Sequence, residues 1–214
     1  MGGKRTYRDE SSNLLLIMAV IKQRHINPDE LSKFLKSSIE PLQDKIYGNR
    51  YRVAVRLLDG THLPCVVLQS RKSQVELALR RFDQLRPQPS QYNMVVESLV
   101  AGGSRVDDYQ ISEVEPSPYA WPLAILKEIH GETVMSWTAF VVEMKDGTMH
   151  SYGTSFCFEF FEMPAGYSYT DIARIHSGML YSQERGLQAF SVDLQKEIQP
   201  YRERPFFTCY LKQL

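Results

Sequence analysis

Between residues 51 and 68 the chain spells out a β-hairpin, and no other segment restricts the fold as tightly. Tyr51, Val53, Val55 and Leu57 alternate with Arg52, Ala54, Arg56 and Leu58; Asp59 and Gly60 interrupt them, and an apolar run returns from Leu63 to Leu68. Successive side chains on a strand point to opposite faces, so this spacing lays one set on a core and the other on the far side. Asp-Gly suits a two-residue primed turn in which both residues take positive φ. A second Asp-Gly at Asp146 and Gly147 repeats Leu57, Asp59, Gly60 and Thr61 as Met144, Asp146, Gly147 and Thr148. The helices that follow do not keep register, so shared turn chemistry explains the echo better than duplication.

Helical signals come before the first hairpin. Ser12 or Asn13 caps an apolar run from Leu14 to Ile21, which reads as a core helix. Asn27, Pro28, Asp29 and Glu30 make a second start, with an amide side chain to accept a free N–H, Pro at the first helical position and acids at the positive end. Leu31, Phe34, Leu35 and Leu42 follow at helical spacing, and Pro41 divides them. Three helices are therefore expected, at about 14 to 25, 28 to 37 and 41 to 47, with Gly48 as a terminator. Winged helix-turn-helix DNA-binding modules share this order of three helices and a hairpin, an analogy of element order alone.

After the hairpin, Ser73 and Glu76 have capping-box spacing, and Val75, Ala78, Leu79 and Phe82 mark a helix face. Asn93 to Val100 reads as a strand ended by Gly102 and Gly103. From Tyr109 an antiparallel meander is expected, with strands at Tyr109 to Glu115, Pro122 to Ile129, Val134 to Met144 and Thr148 to Met163. Ser168 and Asp171 then precede a short helix at Ile172 to Ile175, and strands return at Ala189 to Leu194 and Phe206 to Leu211. The fold class is α+β: N-terminal helices plus a β-hairpin, then a largely antiparallel meander sheet with peripheral helices.

At 214 residues the chain holds one large domain or two small ones. Two modules are expected, 1–86 and 92–214, joined at the prolines of Arg86 to Tyr92 or continuous as one domain. Residues 1–90 carry 16 basic and 9 acidic side chains, and residues 91–214 carry 9 and 16, so +7 stands against −7. The two halves dock on each other, or the charges are solvated faces with no partner, or the basic half receives a polyanion. The eight-residue run Leu14 to Ile21 falls short of the ~20 residues a membrane span needs. Lys22, Gln23 and Arg24 stand where a signal peptide would be cleaved, so no export signal is read. Three cysteines, an odd number, point to a reducing cytoplasm. Met1, Gly2 and Thr6 fit the loose N-myristoylation pattern, which arises readily by chance.

Arg50, Arg52 and Arg56 are the candidate nucleic-acid residues, because even spacing puts all three on one strand face where they can meet successive phosphates. A solvated outer face of a half-buried sheet explains the same pattern. For covalent catalysis the candidates are Cys157 as nucleophile, His150 or His176 as base and Glu159 as orienter. Against that, Phe156 and Phe158 flank Cys157 as they would an inert core thiol, and His150 lies an odd number of positions away. The histidines are scattered without ligand spacing, and neither Glu128 with His130 nor the acids Asp107, Asp108, Glu113 and Glu115 make a convincing centre, so no metal or cofactor is expected. The functional expectation is a non-catalytic binding or regulatory protein, its partner a nucleic acid, another protein or a second copy of itself. A small hydrolase or transferase with a pocket on the C-terminal sheet and a pure assembly subunit are the alternatives.

Overall fold

The computed structural model describes residues 26–45, 48–72, 75, 76, 79, 80, 104–212 and 214. The helix expected at 14 to 25, the strand expected at 93 to 100 and the linker at 86 to 92 lie outside them. The chain is α+β, mostly strands in antiparallel sheets with few helices. Helix α1, Pro28–Ser38, begins where the sequence places it, with the Asn27 side chain accepting from the Asp29 amide at 2.9 Å. It stops before Pro41, which disfavours helical backbone in the residue ahead of it.

The expected third helix is instead the strand β1, Leu42–Asp44, which pairs antiparallel with the start of β2, Gly48–Leu57. That removes the winged-helix element order. The hairpin partner β3 is His62–Ser70, and β2 also pairs with β4, Ile111–Pro116, while β3 pairs parallel with the last strand, Phe207–Leu211. This five-stranded sheet thus takes strands from both charge halves. Leu31 and Leu35 of α1 cover one face, over Tyr51, Val53, Val55, Val66 and Leu68. The other face, with Cys65 and Val67, packs on Phe160, Tyr119, Ala120 and Phe206. Covered on both sides, residues 51–55 and 65–69 are buried without interruption, which alternation alone does not reveal.

A short helix α2, Leu123–Leu126, replaces the strand expected at Pro122 to Ile129, since a brief apolar run does not distinguish helix from strand. Then β5, Thr138–Met144, sits between β6, Met149–Thr154, and β7, Ile172–Ser177. The strand expected to run to Met163 stops at Thr154. The Ser168–Asp171 capping box exists, but it closes only a 3₁₀ turn, Tyr169–Asp171, before β7. There β-branched Ile172 and Ile175 pair along β5 where a helix was expected. One face of this sheet carries Trp121, Phe140, Val142, Tyr152 and Phe161, and the other packs Ala139 against Leu180 and Leu194. Leu180 belongs to β8, Met179–Ser182, which pairs with β9, Gly186–Ala189; Leu194 belongs to α3, Val192–Glu197. Ser191 caps α3 by accepting from the Leu194 amide, ending the strand expected at Ala189 to Leu194. The last strand is β10, Phe207–Leu211. Residues 71, 72, 75, 76, 79 and 80 are helical, with Val75 and Leu79 exposed. Among the described residues no helix is long and apolar enough to cross a membrane.

Candidate functional site

The three candidate arginines share one face of β2, but that face is not solvated. Arg52 is 4% exposed, and Arg50 lies beneath the segment that follows β6, its Nη1 donating to Glu159 Oε1 at 2.5 Å. Arg56 alone is exposed, and its Nε meets Glu113 at 3.2 Å. The expectation of three solvent-facing charges is corrected: the strands of this sheet are covered on both faces, and a buried cation is held only where carboxylates or carbonyls meet it. Arg50–Glu159, Arg56–Glu113 and His62–Glu115 each join a residue of the basic half to one of the acidic half.

Arg52 stands apart from its neighbours. Its Nη1 reaches the carbonyl oxygens of Phe158 and Glu159 at 3.4 Å each, both long, and its buried Nε has no hydrogen-bond partner. Arg52 lines a cavity of about 150 Å³ between the end of α1, the end of β4 and Tyr169. Glu40 lines the same cavity, with Oε2 accepting from the Leu123 amide at 3.1 Å. Burial lowers the Arg52 pKa to about 10 while Glu40 and Glu159 oppose the fall, so the group is a cation at neutral pH.

The two catalytic histidine candidates do not share a face of the sheet. On β5, Val142 is in register with His150, and its neighbour Val141 with His176. Adjacent strand residues point to opposite faces, so the two imidazoles lie on opposite sides of the sheet. His150 packs beside the Tyr167 and Tyr201 rings, and burial pushes its pKa down against Asp146. His176 Nε2 lies 2.8 Å from Glu143 Oε2. Cys157 is exposed rather than buried in the core, because β6 ends before it and Phe156 turns outward with φ 65°. Its thiol is pushed up, by desolvation first and then by Glu159 and Glu203, which disfavours the thiolate. The other candidate groups have separate roles: Glu128 and His130 follow α2 at the surface, Asp107 caps a 3₁₀ turn, and Glu113 and Glu115 pair with Arg56 and His62. Among the described residues no three His, Cys, Asp or Glu side chains gather as a metal group.

One surface feature had no counterpart in the sequence reading. Thr138 is in register with Thr154, so the turn before β5 and the loop after β6 leave from the same end of the sheet. Met135 in that turn is 91% exposed and Phe156 in that loop 47%. Ser136 and Phe156 are the two non-glycine residues with positive φ among those described. Trp137 lies flat over Gly153, where a Cβ would fall 1.9 Å from its ring, and the Arg202 guanidinium sits 4.7 Å from the ring centroid. Glu159 also escaped as an ion-pair partner, although a single carboxylate inside the aromatic run Phe156 to Phe161 signals a buried acid that needs a cation. In comparisons with known proteins, no family model, curated protein or solved structure matches the chain.

Proposed function

We propose that this chain is a non-catalytic binding protein that docks a protein partner, a second copy of itself, through the Met135 and Phe156 end of the β5–β6–β7 sheet. The observation that carries this reading is the coincidence there of an almost fully exposed methionine, an exposed phenylalanine and left-handed backbone at Ser136 and Phe156. Left-handed backbone costs a bulky residue of order 1–3 kcal/mol and persists where surrounding structure imposes it, often at binding surfaces. Exposed apolar side chains gathered at one place favour association, and twofold pairing is the commonest way for one patch to cover itself. Sedimentation velocity over a wide concentration range tests it. The full chain should shift from monomer to dimer, and the Met135→Asp/Phe156→Asp variant should stay monomeric. A wild-type chain that remains monomeric throughout removes the reading.

A nucleic-acid form of the binding function is supported by the +7 excess of residues 1–90. Arg50 and Arg52 lend it no surface charge, so any contact would fall to other basic groups such as Lys33, Lys36, Arg71 and Lys72, all exposed. Binding to DNA or RNA that weakens steeply with salt would support this form, and absence of binding at low salt would end it. A reducing, cytoplasmic setting fits the three unpaired cysteines, one of them exposed.

A further inference from the structure

We propose that the cavity between Arg52 and Glu40 is a binding site for a small zwitterion of the α-amino-acid type, its carboxylate on the Arg52 guanidinium and its ammonium group on Glu40. This goes beyond the docking function and rests on a different part of the molecule. An arginine carries five N–H donors, and buried polar groups are nearly always paired. Arg52 is 4% exposed, yet it has two long contacts from one nitrogen, a buried Nε with no partner and no ion pair among the described residues. Arg52 itself lines the cavity.

The second charged group in the lining selects the ligand. Glu40 is the one carboxylate in the lining, and its bond to the Leu123 amide occupies Oε2. An anion bound to Arg52 would be repelled by Glu40, and a cation on Glu40 would be repelled by Arg52. A molecule carrying both charges satisfies both groups. The Ser117 hydroxyl is already committed, donating to the Pro64 carbonyl and accepting from the Tyr119 amide. Ile39, Pro116, Ala120 and Pro122, beside Ser38 and Tyr169, give the rest of the wall an apolar part suited to a short aliphatic side chain, and a volume of about 150 Å³ suits a small molecule.

Isothermal titration calorimetry of the full chain with L-alanine, L-serine and L-valine, each up to about 10 mM, tests the proposal. N-acetyl-L-alanine, L-alanine methyl ester and inorganic phosphate are the controls. At least one free amino acid should bind, and blocking either its amine or its carboxyl should weaken binding roughly tenfold or more, as losing a charge-assisted contact does. Glu40→Gln keeps an oxygen for the Leu123 amide and should weaken the zwitterion by a similar factor without weakening the N-acetyl compound. Arg52→Lys should weaken both; if that buried variant fails to fold by circular dichroism, Glu40→Gln decides alone. No heat from any free amino acid overturns the proposal, as does phosphate or the N-acetyl compound binding as tightly as the zwitterion.

Discussion

Glu159 and Gly153 each hold a contact that their own sequence neighbourhoods do not explain. The Glu159 carboxylate and the Arg50 guanidinium have side chains only 11% and 12% exposed, so removing one charge strands the other in a largely dry interface. Breaking a buried pair costs about 3–5 kcal/mol, and Asp44, 4.0 Å from Arg50, offsets part of that. Glu159→Gln should therefore lower unfolding free energy by about 2–3 kcal/mol in urea denaturation. A loss well under ~1 kcal/mol would show the pair to be solvated. At Gly153 the argument is steric. Alanine would place its Cβ inside the Trp137 ring, which must move off the sheet. Gly153→Ala should cost roughly 1–3 kcal/mol and shift the Trp137 indole N–H resonance, and an unmoved resonance would contradict the packing.

The two Asp-Gly hairpins behave as one device built twice. In each, the glycine amide bonds back to residue 57 or 144, residue 61 or 148 supplies the carbonyl that closes the loop, and the aspartate accepts from the following threonine amide. Asp59 and Asp146 do not take positive φ; only Gly60 at 88° and Gly147 at 86° do. Each loop is accordingly a three-residue turn with a left-handed glycine, not the two-residue primed turn expected. Gly60→Val or Gly147→Val should cost about 1–3 kcal/mol by thermal or urea melts, with Ala intermediate. The second turn has an acid signature as well. The Tyr167 hydroxyl, followed by the Thr148 amide and hydroxyl, holds Asp146 at about 2 rather than its ordinary 3.8. A depressed carboxyl favours the fold while ionised, so this contribution is intact above 3.8 and is lost as pH falls towards 2. Tyr167→Phe should move the Asp146 midpoint upward in an NMR titration, and an unchanged midpoint would assign the shift elsewhere.

At the scale of the molecule, the charge halves are woven together by strand pairing. β2 and β3 come from the basic half, while β4 and β10 on either side of them come from the acidic half. Phe160, Tyr119 and Phe206 cover a face of β3 that would otherwise be wet. A fragment of residues 26–90 would keep α1 and the first hairpin but lose both flanking strands and that cover. A lone hairpin with one helix buries too little to offset its chain entropy, so the fragment should give no cooperative melt and few dispersed amide resonances. The full chain should melt in one transition. A folded 26–90 fragment would instead support a module boundary near residue 86.

Local chemistry read from the sequence was enough to determine the α+β class, the start of α1 at Asn27 and Pro28, the positions of both Asp-Gly hairpins and the last strand. Each depends on residues within a few positions of one another. Tertiary structure alone decided that Leu42–Asp44 is a strand, that Leu123–Leu126 is a helix, that Ile172–Ser177 extends along β5 and that β10 runs parallel to β3. Short apolar segments have weak intrinsic preference, and the neighbour that offers hydrogen bonds and an apolar face settles them. Arg52 shows the same limit at the candidate site. Its alternation with Val53 reads as a solvated face, but its backbone contact lies 107 residues away at Glu159, and no local pattern carries information over that distance.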